Sequence, residues 1–197
     1  MLFAVEGTFH GVGEYVLPSG ICITIRPIRP DDAAGLRDAF AHLSPESRYR
    51  RFFRALTSLS DDAVRYLTNV DGRDHVALVA VTDTPDLKAE RGVGVARFIR
   101  AKDDPRAAEA AVTVVDDLQG QGIGTALLRE LAARASEVGV ERFRGEILTT
   151  NEPMVLALAA AGVPATPTGD GTLAFETPVT ITSFRTEPER EARRGRA

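Results

Sequence analysis

The sequence predicts an α/β (α+β) domain, with a mixed, mostly antiparallel central sheet flanked by helices. Three observations predict it. The β-rich runs 75–82 (HVALVAVT), 93–99 (VGVARFI) and 109–115 (EAAVTVV) are joined by the polar stretches DTPDLKAERG and RAKDDPRAA. These are too short to hold a crossover helix, so the three runs read as an antiparallel meander. On both sides of that meander the apolar period becomes that of a helix. A length of 197 residues, 44% hydrophobic and 26% charged, suits one globular domain.

Each element has its own signal. Tyr15-Val16-Leu17 and 21–25 (ICITI) flank Pro18-Ser19-Gly20 and read as two strands about a turn. Arg29-Pro30-Asp31-Asp32 opens a helix whose apolar stripe is Leu36, Phe40 and Leu43. Ser44-Pro45-Glu46-Ser47 caps a second helix, leading into Tyr49, Phe52 and Phe53, and Ser60-Asp61-Asp62 caps a third, leading into Val64 and Leu67. After the meander, a helix from Gly124 to about Val138 carries Leu127, Leu128 and Leu131 on one face and ends at Gly139. Then come a strand over 143–148, a short apolar helix over 152–161 closed by Gly162, and a last strand over 173–180. That succession of strand, helix and strand predicts a parallel βαβ element. Residues 1–20 are expected to be an N-terminal strand extension, 21–182 the domain, and 183–197 a charged flexible tail.

Composition excludes several classes. Twenty-four Lys+Arg against 28 Asp+Glu give a net charge of -4, without the basic excess of a nucleic-acid binder. The one cysteine, Cys22, allows no internal disulfide and no Cys-rich zinc site, and is expected to be a buried core thiol in a cytoplasmic protein. His10, His42 and His75 show no metal-ligand spacing, so no metal is expected. No apolar run approaches the ~18 residues that span a bilayer, and the first ten residues carry no secretory signal, so no membrane partner is expected.

The chemistry lies in Gln119-Gly120-Gln121-Gly122-Ile123-Gly124-Thr125, between a β-run and an amphipathic helix. Three glycines in five residues cost conformational entropy and let backbone N–H groups converge on one point. A helix N-terminus adds free donors and a positive dipole end, which makes an anion site suited to a pyrophosphate. A P-loop needs a closing Lys, which is missing. A dinucleotide fingerprint needs Gly or Ala at the sixth position, where Thr125 or Leu127 stands.

Gln119-x-x-Gly122-x-Gly124 after an Ala/Val strand resembles the central motif of the GNAT superfamily of N-acyltransferases. The order of elements from Ile21 to Thr180 resembles that fold as well. Ile25-Arg26-Pro27-Ile28-Arg29-Pro30-Asp31-Asp32, Leu43-Ser44-Pro45-Glu46-Ser47-Arg48-Tyr49-Arg50-Arg51-Phe52-Phe53 and Ala108-Glu109-Ala110-Ala111-Val112 resemble more closely the GNAT domain of bacterial protein-lysine acetyltransferases. The resemblance implies that acetyl-CoA is the co-substrate, with Gln119, Gly120, Gln121, Gly122, Ile123, Gly124 and Thr125 at its pyrophosphate. It places backbone groups of Thr113 and Val114 at pantetheine and thioester, and Asn151 and Met154 along the pantetheine arm.

Acetyl transfer to an amine needs a proton acceptor, because a free lysine has a pKa near 10.4. Glu109 is the only acidic residue within its β-run, and the resemblance implies the general base there. The helix after Asn151 has no Tyr to serve as general acid. Arg48, Arg50 and Arg51 alternate with Tyr49 and Phe52, reading as a helix with aromatics inward and arginines solvated, or as a rim of the acceptor cleft. Asp71, Asp74 and His75 read as a plain loop or as part of that cleft. The expected function is acetylation of a protein lysine. A small-molecule amine as acceptor, or a CoA-binding regulatory domain without turnover, are the alternatives.

Overall fold

A computed structural model describes residues 3–4, 13–17, 19–84 and 89–179. The residues around the early turn behave as their chemistry predicts: Gly20 takes a φ of 85° and its N–H donates to Leu17 O at 2.8 Å. This joins β2 (Gly13–Val16) to β3 (Cys22–Pro27), and β1 (Phe3–Ala4) pairs with β2 at the sheet edge. A 3-10 turn at Pro30–Asp32 leads into α1 (Ala33–Ala41). Ser44 Oγ accepts the Ser47 N–H at 3.1 Å to start α2 (Pro45–Phe52), and Ser60 Oγ accepts the Ala63 N–H at 3.2 Å to start α3 (Asp61–Thr68).

The meander follows as β4 (His75–Thr84), β5 (Ala89–Arg100) and β6 (Ala107–Val114), antiparallel throughout. Then come α4 (Ile123–Glu137), β7 (Arg142–Leu148), α5 (Glu152–Ala160), β8 (Ala165–Pro167) and β9 (Thr172–Pro178). Among the described residues, nine strands form one sheet in the order β1-β2-β3-β4-β5-β6-β7-β9-β8. The GNAT architecture expected from the sequence is present.

Two expectations need correction. The last strand, expected over 173–180 as the parallel partner of the strand before α5, is antiparallel to it, with Arg142 opposite Pro178 and Leu148 opposite Thr172. The parallel pair lies one step earlier, between β6 and β7 across α4. The cause is an unforeseen hairpin: after α5 the chain runs out along β8 at the edge, and Gly169 and Gly171, at φ 95° and 88°, turn it back as β9. Cys22 is exposed rather than buried. The alternation of β3 gives the core to Ile23 and Ile25 and turns Cys22 to the opposite face.

The two faces of the sheet are packed differently. On one lies α4, whose Leu127 and Leu131 meet Ile23, Ile25, Leu78 and Phe98, all fully buried. On the other lie α1–α3, with Phe40, Leu43, Leu59, Val64 and Leu67 in a separate cluster. Residues 5–12 of the expected N-terminal strand extension and the tail expected over 183–197 lie outside the described residues.

Candidate active site

The glycine-rich loop follows a 3-10 turn at Asp116–Leu118. Gly120 and Gly122 sit at φ 73° and 91°, a region side-chain-bearing residues rarely adopt. Gly122 caps α4, and the first intrahelical donor is the Ala126 N–H, bonded to Gly122 O at 3.0 Å. The N–H groups of Ile123, Gly124 and Thr125 therefore point out of the helix end with its positive dipole. Gly124 differs from its neighbours. Its φ is not positive, and an added Cβ would only touch Val114 and Val112 at 3.7 and 3.9 Å. A Cβ on Gly120 would meet open space.

The two glutamines divide the work of the loop. Gln119 Nε2 donates to Val114 O at 3.1 Å and to Asp116 Oδ1 at 3.0 Å, which ties the loop to the end of β6. Gln121 Oε1 is buried with no hydrogen-bond partner among the described residues. A buried polar atom left without a partner is costly, and turned over, the same amide would offer N–H donors to an anion in the cradle. Open space before Gly120, free first-turn donors and an unpartnered amide fit a pyrophosphate.

Beside the loop the sheet opens. β6 pairs with β7 only at Ala107, Ala108 and Glu109, against Arg142, Phe143 and Arg144, although both strands continue. Strand polarity shows which groups are released. Val115 N–H bonds Val93 O and Ala107 O accepts from Ala101, so odd-numbered residues of β6 serve β5; Arg106 O accepts from Glu141 and Arg142, so even-numbered ones face β7. The N–H groups of Val112 and Val114 thus face the gap. Thr113 directs its backbone to β5, and its side chain lies on the α1–α3 face, where it lines a cavity.

Glu109 stands where β6 and β7 part, with its side chain 68% exposed and Oε1 3.8 Å from the Arg144 guanidinium. Arg144 is itself clamped by Asp103 at 2.7 and 2.9 Å, which pushes its pKa up. Across the opening, Asn151 caps α5 through its backbone O, which accepts from Met154 and Val155 at 3.0 Å. Its side chain makes no cap bond. Met154 packs partly buried against Ile147, Leu158 and Val163.

Other candidates have structural employment. Asp71 Oδ1 accepts the N–H groups of His75, Arg73 and Asp74 at 2.7–2.9 Å, and the first of these does most to hold its pKa below the usual carboxylate range. Asp74 pairs with Arg100 at 2.6 Å. In α2, Arg50 pairs with Glu46 at 2.6 Å and Arg48 lies 4.6 Å over the Phe40 ring. The expected inward-aromatic pattern is inverted at two positions: Tyr49 is exposed, and Arg51 lines the cavity.

The cavity has a volume of about 200 Å³ and lies between the sheet and the α1–α3 layer. Arg97, from the middle of β5, reaches into it and is only 5% exposed. Sequence reasoning missed it. The available signal was a charged residue at an inward position of the apolar run VGVARFI.

A glycine-rich helix end with free N–H donors, beside strands that part next to a carboxylate, fits an acyltransferase site. Residues 23–163 match the family described as "Acetyltransferase (GNAT) domain", and the chain belongs to that family. It is 35% identical over 130 residues to Acetyltransferase Pat of Mycolicibacterium smegmatis, across 66% of this chain but only 38% of that longer protein. An acetyltransferase of Pseudomonas aeruginosa is 32% identical over 152 residues, covering 77% of this chain and 78% of its own. The crystal structure of the GNAT domain of S. lividans PAT superimposes with a TM-score of 0.78 at 32% identity, covering 88% of this chain and 99% of that one.

Proposed function

We propose that this acetyltransferase takes its acetyl group from acetyl-CoA and acetylates lysine side chains of proteins by direct attack of the amine. The observation that carries this reading is the parting of β6 from β7 beyond Glu109, into a gap that runs to Val112 and Val114 beside the first turn of α4. Acetyl-CoA supplies an acyl group already activated as a thioester. In this reading Gly120, Gln121, Gly122 and the first-turn N–H groups of α4 hold its pyrophosphate. Asn151 and Met154 lie along the arm, and the N–H groups of Val112 and Val114 serve as donors toward the thioester oxygen.

Glu109 takes the proton from the acceptor ammonium, directly or through one water. Its exposed position suits an acceptor borne on another protein, and the likeness to the acetyltransferases named Pat and PAT supports the same reading. We place the protein in the cytoplasm, consistent with a single exposed thiol. The test is mass spectrometry of a cell lysate incubated with the protein and labelled acetyl-CoA. Label on lysines is the expected result. Label only in small amines would favour a second reading, for which the partly open cavity beside Thr113 speaks.

A further inference from the structure

We propose that the cavity under α1–α3 is a binding site for a small organic carboxylate, its anionic end between Arg51 and Arg97 and its carbon chain along the apolar wall. The observations begin with the arginines. Arg97 donates to Leu67 O at 3.2 Å and meets His75 Nε2 at 3.1 Å. No carboxylate pairs with it among the described residues. Arg51 lies 5.0 Å from the Phe52 ring and has neither an ion pair nor a hydrogen bond among the described residues. Two guanidinium groups therefore line one cavity without a counter-ion among the described residues. Burial first, and then the charge of Arg51, lower the pKa of Arg97 to about 10.

The carboxylates bordering the cavity do not relieve this. Asp32 holds Arg26 through two bonds of 2.8 and 2.9 Å, and Glu90 adds a third of 2.7 Å. With Asp31, they form an acidic end around Arg26, away from the basic pair. A buried cation without a partner carries a desolvation penalty of several kcal/mol. An anion that enters removes it, and the planar fork of Arg matches a carboxylate with two parallel hydrogen bonds.

Size and lining narrow the class of ligand. About 200 Å³ is several times the roughly 30 Å³ a water takes in the liquid, so a molecule of several carbon atoms fits. Leu36, Phe40, Leu67, Val79 and Val95 provide the wall, which suits an alkyl chain and not a hydrated phosphate. The site also adjoins the reaction. Arg97 is opposite Ala111, between Glu109 and Thr113 on one sheet face, each about 7 Å away along the strand.

Calorimetry on the full chain tests this with hexanoate, hexanol and hexylamine, and with acetyl-CoA as a separate titration. Hexanoate is expected to bind at least tenfold more tightly than hexanol or hexylamine. Arg51→Gln, at the partly exposed end of α2, is expected to lose at least tenfold in hexanoate affinity while acetyl-CoA affinity is unchanged. Arg97→Gln should do the same if it folds. No binding of hexanoate, equal binding of hexanol, or unaltered hexanoate affinity in Arg51→Gln overturns the proposal. A further arm identifies the source of the carboxylate. Binding and acetylation of 6-aminohexanoate would make it part of an acceptor; binding without acetylation would make it an effector, and either supports the site. The proposal stands apart from acetyl transfer to lysine. Failure to bind hexanoate with lysate acetylation intact sinks only this inference, and the reverse result sinks only the proposed function.

Discussion

The two faces of the central sheet are built from the same strands and do different work. Toward α4, every second residue of β3, β4 and β5 is apolar and closed from water: Ile23, Ile25, Leu78, Ala96 and Phe98. Toward α1–α3, the intervening positions hold Arg26, Arg97, Thr113 and Glu109, and the packing leaves a cavity. A close-packed apolar interface gains dispersion and hydrophobic energy and has no chemistry to offer. Buried guanidinium groups cost solvation. The α4 face carries the larger apolar core, while the α1–α3 face combines smaller apolar clusters with the polar groups that the proposals above assign to chemistry and binding.

The largest effects should separate the faces cleanly. Glu109→Gln keeps size and shape but cannot accept a proton at neutral pH. Turnover should fall roughly 100- to 10,000-fold, with acetyl-CoA affinity unchanged by calorimetry and the unfolding free energy from urea titration changed by less than about 0.5 kcal/mol. Residual activity should rise with pH as hydroxide replaces the carboxylate. Wild-type turnover in this variant with a working acceptor would remove Glu109 from the mechanism. Phe98→Ala is the mirror image. It deletes a fully buried ring packed 5.9 Å from Phe143, so unfolding free energy should fall by about 3–5 kcal/mol. A loss below 1 kcal/mol would show that the α4 face is not where the stability resides.

How much of this was legible depends on which physical signal each residue carried. The helices and the meander were readable because their periods differ and because Ser44 and Ser60 are real caps. The glycine loop was readable because three glycines in five residues stand between a β-run and an amphipathic helix. The β8–β9 hairpin was not readable, since three residues (ATP) are too short to show alternation. Missing it misplaced the parallel pair. Cys22 was taken for core because its neighbours are apolar, although alternation alone would have turned it outward. The burial of Arg51 and Arg97 was harder to read, for another reason. A charged side chain is read as solvated unless something marks it as buried, and only the layer of α1–α3 over β5 does that.

The loop provides a smaller contrast within one site. Gly122→Val forces a branched residue to φ 91° at the α4 cap, a strain of about 1–3 kcal/mol. It should weaken acetyl-CoA binding at least tenfold while helical circular dichroism survives. Gly124→Ala places its methyl in ordinary contact with Val114 and Val112 and should change affinity by less than about threefold. Equal losses at both positions in calorimetry would show that the cradle is set by space around the helix end and not by the backbone angle at Gly122.

The smallest expected effect concerns the acidic end of the cavity and its dependence on pH. Burial pushes the Asp32 carboxyl up, but hydrogen bonds from Arg26 and from the Arg29 N–H more than reverse this, so its pKa lies below the ordinary value. A group whose pKa is lower in the folded chain than in the unfolded one adds stability above its unfolded pKa, near 3.9, and loses it as pH falls through the folded value. At pH 7 the Asp32 charge is therefore fully stabilising. Asp32→Asn keeps the shape and one acceptor but gives up the charge opposite Arg26, whose remaining carboxylate partner is Glu90 at 2.7 Å. The loss at pH 7 should be on the order of 1–2 kcal/mol, the scale of a hydrogen bond to a charged group. Urea unfolding of both proteins from pH 7 to pH 3 should show the gap constant down to about pH 4 and narrowing below it. A gap that stays constant to pH 3, or widens, would mean that Asp32 acts through shape alone. The acidic end would then not offset the charge of Arg26, and the segregation of charge across the cavity would lose its physical basis.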